Sequence, residues 1–227
     1  MKGLLLIIGA YLTGVLVGLN VAQGAPPQDQ LRSTAPHLNV GSGSIVKGPS
    51  NRLYILTNSH VCLAGDYNRG MKGSFPDGTT VYGPIVKQDI SVDLCAIRLY
   101  VKRPALSIAP KFDKEETVYT RGYPMGVISE SEGSIVGTEE WSYIFPTEAI
   151  GSCPGDPIGS RRAPEMCNVH FRSYITTLYS EPGSSGSPIV NAQGELVGVM
   201  SSALRNGDKR AGGTVRYSDL VKFMKGL

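Results

Sequence analysis

Short apolar runs separated by turn-forming residues recur along most of this chain, and they constrain its fold more than any other feature. Such runs begin at Ile45, Leu53, Leu94, Ile189 and Leu196. Asp77-Gly78 lies between two further runs and is a strong β-hairpin signal. The sequence holds 28 glycines and has no long amphipathic helical pattern in its middle. This pattern predicts an all-β fold of short strands and turns.

A charged connector over residues 111–116 divides the chain into two strand-rich halves. We therefore predict two β units, over residues 38–115 and 116–227. Only the C-terminal end has a helical pattern, in which Ser218 is a candidate cap and Leu220, Val221 and Met224 share one face. Residues 25–37 are polar and are predicted to form a linker.

The first 24 residues form a separate apolar segment. Lys2 precedes an apolar run that starts at Gly3 and ends near Ala22, and the small residues before Ala25 suit a signal peptidase. The run is also just long enough to span a bilayer, so residues 1–24 are predicted to be a signal peptide or an uncleaved signal anchor. A buried core helix is the remaining alternative. With a signal or an anchor, residues 25–227 lie outside the cytoplasm, secreted, periplasmic or anchored, and only an uncleaved segment contacts the membrane.

The charge balance and the histidine spacing narrow the classes of partner. The formal net charge of +3 is too small to indicate a nucleic-acid partner, and no nucleic-acid-binding motif accompanies it. No CxxC spacing occurs and the three histidines are scattered, so no metal site is predicted. No cofactor is predicted either.

Four cysteines in an exported chain make disulfide bonds plausible. Cys153 and Cys167 bracket a polar segment rich in Gly, Pro and Arg that has no regular structure to hold it, so this pair is predicted to be bridged. Cys62 and Cys95 lie in apolar surroundings. Their sequence context fits a second disulfide and a pair of buried free thiols equally well.

Two segments of the first half carry candidate groups for proton transfer. In residues 56–62 (LTNSHVC), a strand runs into a polar corner that holds His60, and an imidazole can take a proton from a hydroxyl near neutral pH. A structural, hydrogen-bonded histidine is the alternative. Asp93 opens the apolar run 94–99, where a buried carboxylate needs a partner such as the second N–H of an imidazole. A turn or strand-start Asp is the alternative. Asp89 competes for this role, and Asp93 is favoured because it directly precedes the apolar run.

The string at residues 181–190 (EPGSSGSPIV) presents a hydroxyl next to flexible backbone. Ser185 needs a base such as His60 in order to act as a nucleophile. Gly183 permits a tight turn, so that its own N–H and that of Ser185 converge on one point, with the Ser184 N–H nearby, as an oxyanion hole requires. A plain Gly/Ser turn between two strands is the alternative.

The three strings TNSHV, DLCAIRL and PGSSGSPIV, in this order, resemble those of the trypsin-like (chymotrypsin-fold) serine proteases. The pattern is similar to the HtrA/Deg-like peptidases and to the bacterial glutamyl endopeptidases. The resemblance covers roughly residues 38–224. It implies two six-stranded antiparallel β-barrels with the active site between them, His60 as base, Asp93 as orienting acid and Ser185 as nucleophile.

The resemblance also locates a substrate pocket and shows where this chain departs from its relatives. By motif, Tyr179 falls at the pocket base and Ser201, Ser202 and Ala203 form a wall, which predicts a modest apolar residue before the scissile bond. His170 is the only candidate for the pocket histidine of the glutamyl branch, and a surface histidine is the alternative. Gly186-Ser187-Pro188 differs from the usual HtrA Gly-Gly-Pro, and no PDZ domain is expected after the last helix.

The segment 139–170 is longer than a hairpin needs, and long loops are often functional. We expect the Cys153–Cys167 bridge to hold this loop near the substrate cleft. The predicted function is an exported serine endopeptidase acting on polypeptides, and a catalytically inactive protease-like binding or scaffold protein is the alternative. An α/β-hydrolase esterase is excluded, because the second Gly of GxSxG is missing and its triad order is Ser, Asp, His.

Overall fold

The computed structural model describes residues 28–65, 70–160, 163–206 and 209–227, and β-strands dominate its fold. The N-terminal segment 1–24, with its alternatives of signal peptide and anchor, lies outside these residues. Within the described ranges, no helix is long and apolar enough to cross a membrane.

The first half forms two four-stranded antiparallel sheets. Its strands are His37–Leu38 (β1), Gly41–Ser42 (β2), Ser44–Lys47 (β3), Leu53–Thr57 (β4), Met71–Ser74 (β5), Thr80–Gly83 (β6), Ile85–Asp89 (β7) and Leu94–Leu99 (β8). The strand orders are β2-β1-β5-β6 and β3-β4-β8-β7. Only Gly43 separates β2 from β3, so the chain passes there from one sheet to the other and the two sheets form one barrel-like unit.

The second half forms a single eight-stranded sheet. Its strands are Val118–Gly122 (β9), Ser129–Gly133 (β10), Ile135–Pro146 (β11), Asp156–Ser160 (β12), Ala163–Thr176 (β13), Pro188–Val190 (β14), Leu196–Asn206 (β15) and Lys209–Val215 (β16). The order is β10-β9-β14-β15-β16-β13-β11, with β12 paired to β13. Since β10 and β11 are separated only by Ser134, the two ends of the sheet are joined through the chain and the sheet closes on itself.

The predicted all-β architecture with two barrel-like halves is therefore confirmed. Each half holds eight strand segments within the described ranges, where the resemblance implied six. Short breaks at Gly43 and Ser134 divide longer strands, and β12 is an addition that pairs only with β13.

Four short α-helices complete the described structure: Gln28–Thr34 (α1), Ser59–Ala64 (α2), Thr147–Ile150 (α3) and Tyr217–Lys225 (α4). Helix α1 occupies most of the segment predicted as a linker. Leu31 is only 1% exposed and Ala35 is fully buried, so this segment packs against the protein instead of connecting two parts of it. The sequence did not predict this contact, because Leu31 is surrounded by polar residues and a single apolar side chain gives no helical periodicity.

One hydrophobic cluster joins the two halves. It includes Leu56 and Leu94 from the first half, Val199 and Leu220 from the second, and Leu31 from α1. Removing apolar surface of this kind from water stabilises the fold by about 25 cal/mol per Å². Because both halves contribute to this core, it fixes the position of one half relative to the other. It thereby also fixes the positions of the groups that line the cleft between the halves.

The C-terminal helix was predicted correctly, with two differences of detail. Helix α4 begins at Tyr217 and its N-cap is Arg216, slightly ahead of the Ser218 cap that the sequence suggested. Its buried face consists of Leu220, Phe223 and Met224, while Val221 is half-buried. Positions i, i+3 and i+4 of a helix lie on one face. Counted from Leu220, these are Phe223 and Met224, so Phe223 and not Val221 belongs to the buried face.

Candidate active site

His60 stands where a buried strand ends in the first half of the protein. Strand β4 ends at Thr57, Asn58 is extended, and α2 begins at Ser59, which places His60 in its first turn. The Asn58 side chain donates to the Asp93 carbonyl at 3.0 Å, and the Ser59 hydroxyl donates to the Leu94 carbonyl at 2.8 Å. These two bonds attach the start of α2 to the start of β8.

Asp93 meets His60 at this junction. Its Oδ2 lies 2.9 Å and its Oδ1 3.1 Å from His60 Nδ1, and Oδ1 also accepts the His60 backbone N–H at 3.1 Å. Asp93 has a left-handed backbone conformation (φ 55°, ψ 45°), which Asp tolerates better than most residues. Burial raises the pKa of Asp93 above its ordinary value, and the charge and hydrogen bonds of His60 oppose that rise.

The competing acid, Asp89, has a different task. Its Oδ1 accepts the Ser91 backbone N–H at 3.1 Å and the Ser91 hydroxyl at 2.6 Å, so it caps the 3₁₀ turn Ile90–Val92. Its carboxylate is therefore used within its own turn. Of the two acids, the structure brings Asp93, which the sequence favoured, to His60.

Both candidate cysteine pairs are bridged. Cys153 is bonded to Cys167, and the open alternative for Cys62 and Cys95 is resolved in favour of a bond. The Cys62–Cys95 bridge is fully buried and connects α2, which carries His60, to β8, which follows Asp93.

Replacing both Cys62 and Cys95 with alanine is expected to lower the free energy of unfolding by about 3–4 kcal/mol, because the bridge closes a long loop in the unfolded chain. The two residues are 33 positions apart. Urea unfolding of the wild type and the double variant, without added reductant, measures the change. An unchanged unfolding midpoint would show that the bridge does not stabilise the fold.

Ser185 sits in a tight turn that only glycine-rich sequence can form. Gly183 and Gly186 have positive φ angles of 97° and 88°. A Cβ atom at Gly186 would overlap the Ser42 carbonyl oxygen, and one at Gly183 would overlap the Tyr123 carbonyl oxygen. The turn is attached to the first half through the Ser42 N–H, which donates to the Ser185 carbonyl at 2.7 Å. The serine is thus presented at the boundary between the two halves.

Two of the three backbone donors predicted for an oxyanion hole are free. Within the described residues, the N–H groups of Gly183 and Ser185 make no hydrogen bond. The Ser184 N–H donates to the Glu181 carbonyl at 2.9 Å. This corrects the prediction for Ser184, whose N–H is used to close the turn.

The Ser185 hydroxyl points to a backbone carbonyl in this structure. Its Oγ lies 3.4 Å from the Ser201 oxygen on β15, and the hydrogen bonds of the described residues include none from it to His60. In unliganded sites, hydrogen bonds between catalytic groups are often long and tighten when substrate binds.

Sequence reasoning missed Tyr143. Its ring lies against the His60 imidazole, with a centroid separation of 4.8 Å, and its hydroxyl donates to the Ser201 carbonyl at 2.5 Å. The segment 139–170 was predicted to be a loop, and it is mostly regular: β11 and β13 form a long hairpin that also holds α3 and β12. The length of the segment indicated function, but no local pattern singled out Tyr143.

The predicted substrate pocket is only partly assembled. Ser201 and Ser202 are buried, with the Ser201 carbonyl next to the Ser185 hydroxyl, and Ala203 is exposed. Tyr179 is 38% exposed and lines a small cavity with residues that include Ser131 and Ser184.

The part of the pocket next to Ser202 contains an indole. Gly213 pairs with Ser202 across β15 and β16, and a Cβ atom at Gly213 would lie 3.4 Å from Trp141 Cε2. His170 is partly exposed on β13 and bonds to Asp156 at 3.0 Å, as the surface alternative predicted.

These features define a class of protein: a chymotrypsin-like peptidase fold of two β-barrel-like halves, with a His–Asp pair and a glycine-bounded serine at their junction. The family model of the trypsin-like peptidase domain matches residues 41–199. The chain belongs to this family.

Comparison with curated proteins finds HtrA-like proteases. The chain is 26% identical over 189 residues to a serine protease Do-like HtrA of Bacillus subtilis, which covers 80% of this chain and 37% of that protein. It is 27% identical over 172 residues to an HtrA-like serine protease of Staphylococcus aureus, covering 73% of this chain and 20% of that protein. The chain thus spans about a third or less of the length of these relatives.

Comparison with solved structures shows the same fold. The active form of the Rv3671c protease from M. tuberculosis matches with a TM-score of 0.63 at 18% identity, covering 88% of this chain and 86% of that chain. An HtrA-type protease with a bound tripeptide matches with a TM-score of 0.60 at 19% identity, covering 88% and 62%.

Proposed function

We propose that this protein is a serine endopeptidase in which Ser185 is the nucleophile, His60 the general base and Asp93 the orienting acid. The observation that carries the proposal is the His60–Asp93 pair, in which a carboxylate that is 1% exposed lies 2.9 Å from His60 Nδ1. A buried carboxylate is costly without such a partner. The bond to Nδ1 fixes the tautomer in which Nε2 is free to accept a proton.

Acylation begins when the Ser185 Oγ attacks the carbonyl carbon of the scissile peptide bond. His60 Nε2 takes the proton of Ser185, and the resulting imidazolium is stabilised by Asp93. When the tetrahedral intermediate collapses, the C–N bond breaks and His60 returns the proton to the leaving amine. Water, deprotonated by His60, then hydrolyses the acyl-enzyme by the reverse sequence of steps.

The oxyanion that forms in each tetrahedral intermediate is assigned to the N–H groups of Gly183 and Ser185. The support for this assignment is that both groups are free of protein acceptors in the described structure. Donors of this kind are typically worth about 3–4 kcal/mol of barrier each, because they are oriented before the charge develops.

The proposed substrate is an extended polypeptide that enters along β15. Its side chain before the scissile bond is assigned to the pocket of Tyr179, Ser201, Ser202 and Ala203, with a preference for a modest apolar residue. Location outside the cytoplasm is part of the proposal, and the two disulfide bonds support it, since such bonds persist in oxidising compartments.

Treating the full chain with a fluorophosphonate probe tests the proposed function. We expect a single covalent adduct, which tryptic mass spectrometry locates on Ser185, and loss of casein hydrolysis in proportion to labelling. Heat-denatured protein serves as the control for non-specific reaction. A folded protein that takes up no label and cleaves no casein would instead fit the inactive binding or scaffold protein.

A further inference from the structure

The hairpin of β11 and β13 extends well beyond the barrel to which it belongs. Strand β13 pairs with β16 only through Ser173–Thr176, whereas its pairing with β11 continues to the partners Pro146 and Met166. The part that projects, residues 140–160 and 163–172, is called the arm below. It reaches from the second half towards the residues of the first half that surround His60.

The arm packs onto the first half next to the candidate site. Phe145, Cys167 and Val169 form a buried cluster in the arm, and Leu63 of α2 and Ile90 of the 3₁₀ turn pack against it. Helix α2 carries His60, and the 3₁₀ turn directly precedes Asp93. The arm therefore bridges the two halves on the face where the candidate site lies.

Tyr143 is the arm residue that lies against His60. Its ring stacks on Phe171 at a centroid distance of 5.3 Å and lies 4.8 Å from the centroid of His60. Burial and the nearby Asp93 charge raise the pKa of the Tyr143 hydroxyl above its ordinary value, so the hydroxyl stays protonated and remains a donor.

The acceptor of this hydroxyl lies where the proposed substrate would bind. The Ser201 carbonyl receives the Tyr143 hydroxyl at 2.5 Å and lies 3.4 Å from the Ser185 Oγ. A carbonyl oxygen has two lone pairs. The Tyr143 hydroxyl takes one of them at a short distance, and the Ser185 hydroxyl is directed at the same oxygen from a longer one. In the proposed binding mode, a peptide that lies along β15 gains affinity from backbone hydrogen bonds to that strand. The Ser201 carbonyl is on this strand and lies next to the Ser185 hydroxyl, so it is the acceptor that such a peptide would use.

We propose that Tyr143 controls substrate access: it occupies the Ser201 carbonyl and covers His60 in a closed state, and the arm must withdraw Tyr143 before a polypeptide can bind. This inference rests on the proposed function. Only the open state binds substrate, so the apparent KM equals the intrinsic KM divided by the fraction of molecules that are open, while kcat is unaffected. A residue that positions His60 for catalysis would change kcat instead.

The test compares wild type with Tyr143→Phe and Tyr143→Ala in the full chain. Casein hydrolysis over a range of concentrations gives kcat and KM, and the rate of fluorophosphonate labelling at Ser185 reports access without substrate. Losing one hydrogen bond is expected to lower KM about five-fold in Tyr143→Phe with kcat unchanged. Losing the ring contact as well is expected to lower it about 25-fold in Tyr143→Ala, and labelling accelerates by the same factors.

Tyr217→Phe is the matched control, because the Tyr217 hydroxyl also donates to a backbone carbonyl, that of Ala109, at 2.6 Å. We expect it to leave KM and the labelling rate unchanged. Thermal unfolding of each variant reports whether it is folded, and Tyr143→Phe keeps the ring that packs within the arm.

The outcomes separate this inference from the function on which it rests. Labelling of Ser185 at the same rate in wild type and both Tyr143 variants would overturn the role of Tyr143 and leave the peptidase proposal intact. A fall in kcat in Tyr143→Phe would likewise overturn it. Absence of labelling in every folded variant, Tyr143→Ala included, would overturn the peptidase proposal itself.

Discussion

Replacing Ser185 with alanine is expected to lower kcat for polypeptide hydrolysis by about 10⁶-fold, because the acyl-enzyme cannot form without the hydroxyl. The residual rate comes from substrate binding and the oxyanion donors, which do not depend on the Ser185 side chain. The measurement is hydrolysis of labelled casein by the purified full chain, with KM determined separately. We expect KM to change little, since only the hydroxyl is removed and the turn is not disturbed.

Ser187→Ala is the matched control for this substitution. Ser187 lies in the same turn, is buried, and has an Oγ with no hydrogen-bond partner in the described structure. The kcat of the Ser187→Ala variant is expected to remain within about three-fold of wild type, because the substitution leaves the reacting groups in place. If Ser185→Ala retained more than about 1% of wild-type activity while folded, another nucleophile would have to be sought.

Replacing Asp93 with asparagine is expected to lower kcat by about 10⁴-fold. The amide keeps the shape of the side chain, but its NH₂ group cannot accept the Nδ1–H bond that orients the imidazole, and it favours the tautomer protonated on Nε2. The substitution also removes the charge that stabilises the imidazolium. In the wild type, His60 Nδ1 lies 2.9 Å from Oδ2 and 3.1 Å from Oδ1, so both carboxylate oxygens are close enough to hold it.

Asp89→Asn provides the comparison that the sequence itself suggests. Within the described structure the Asp89 carboxylate accepts hydrogen bonds from Ser91, so its substitution is expected to weaken the 3₁₀ turn and to change kcat by less than about three-fold. Steady-state kinetics of the two variants, with thermal unfolding as a check of folding, distinguish the two acids. A larger loss of kcat in Asp89→Asn than in Asp93→Asn would assign the orienting role to Asp89 instead.

Local patterns predicted those parts of the fold whose cause is local. Asp77-Gly78 indicated the β5–β6 hairpin: Asp77 Oδ1 accepts the Thr79 N–H at 2.8 Å, and Gly78 has the positive φ of 79° that such a turn requires. The spacing of Leu220 and Met224 indicated α4 for a similar reason, since about 3.6 residues per turn place them on one face.

Packing between distant segments explains the elements that sequence reasoning missed. Helix α1 exists because Leu31 inserts into the core shared by both halves, and its neighbours in sequence carry no sign of that contact. The arm has a β structure because β11 pairs with β13 over a long register, which the pattern of each strand taken separately does not reveal.

The sequence by itself determined the candidate catalytic groups and their local settings: an imidazole at a strand end, a carboxylate before a buried strand, and a serine in a turn that needs two glycines. Such signals are local, because they follow from the backbone conformation of a few consecutive residues. Tertiary structure decided that Asp93 and not Asp89 meets His60, that Cys62 bonds Cys95, that the Ser184 N–H is used, and that Tyr143 lies on His60. Each of these depends on which distant surfaces pack together, and no short segment encodes that.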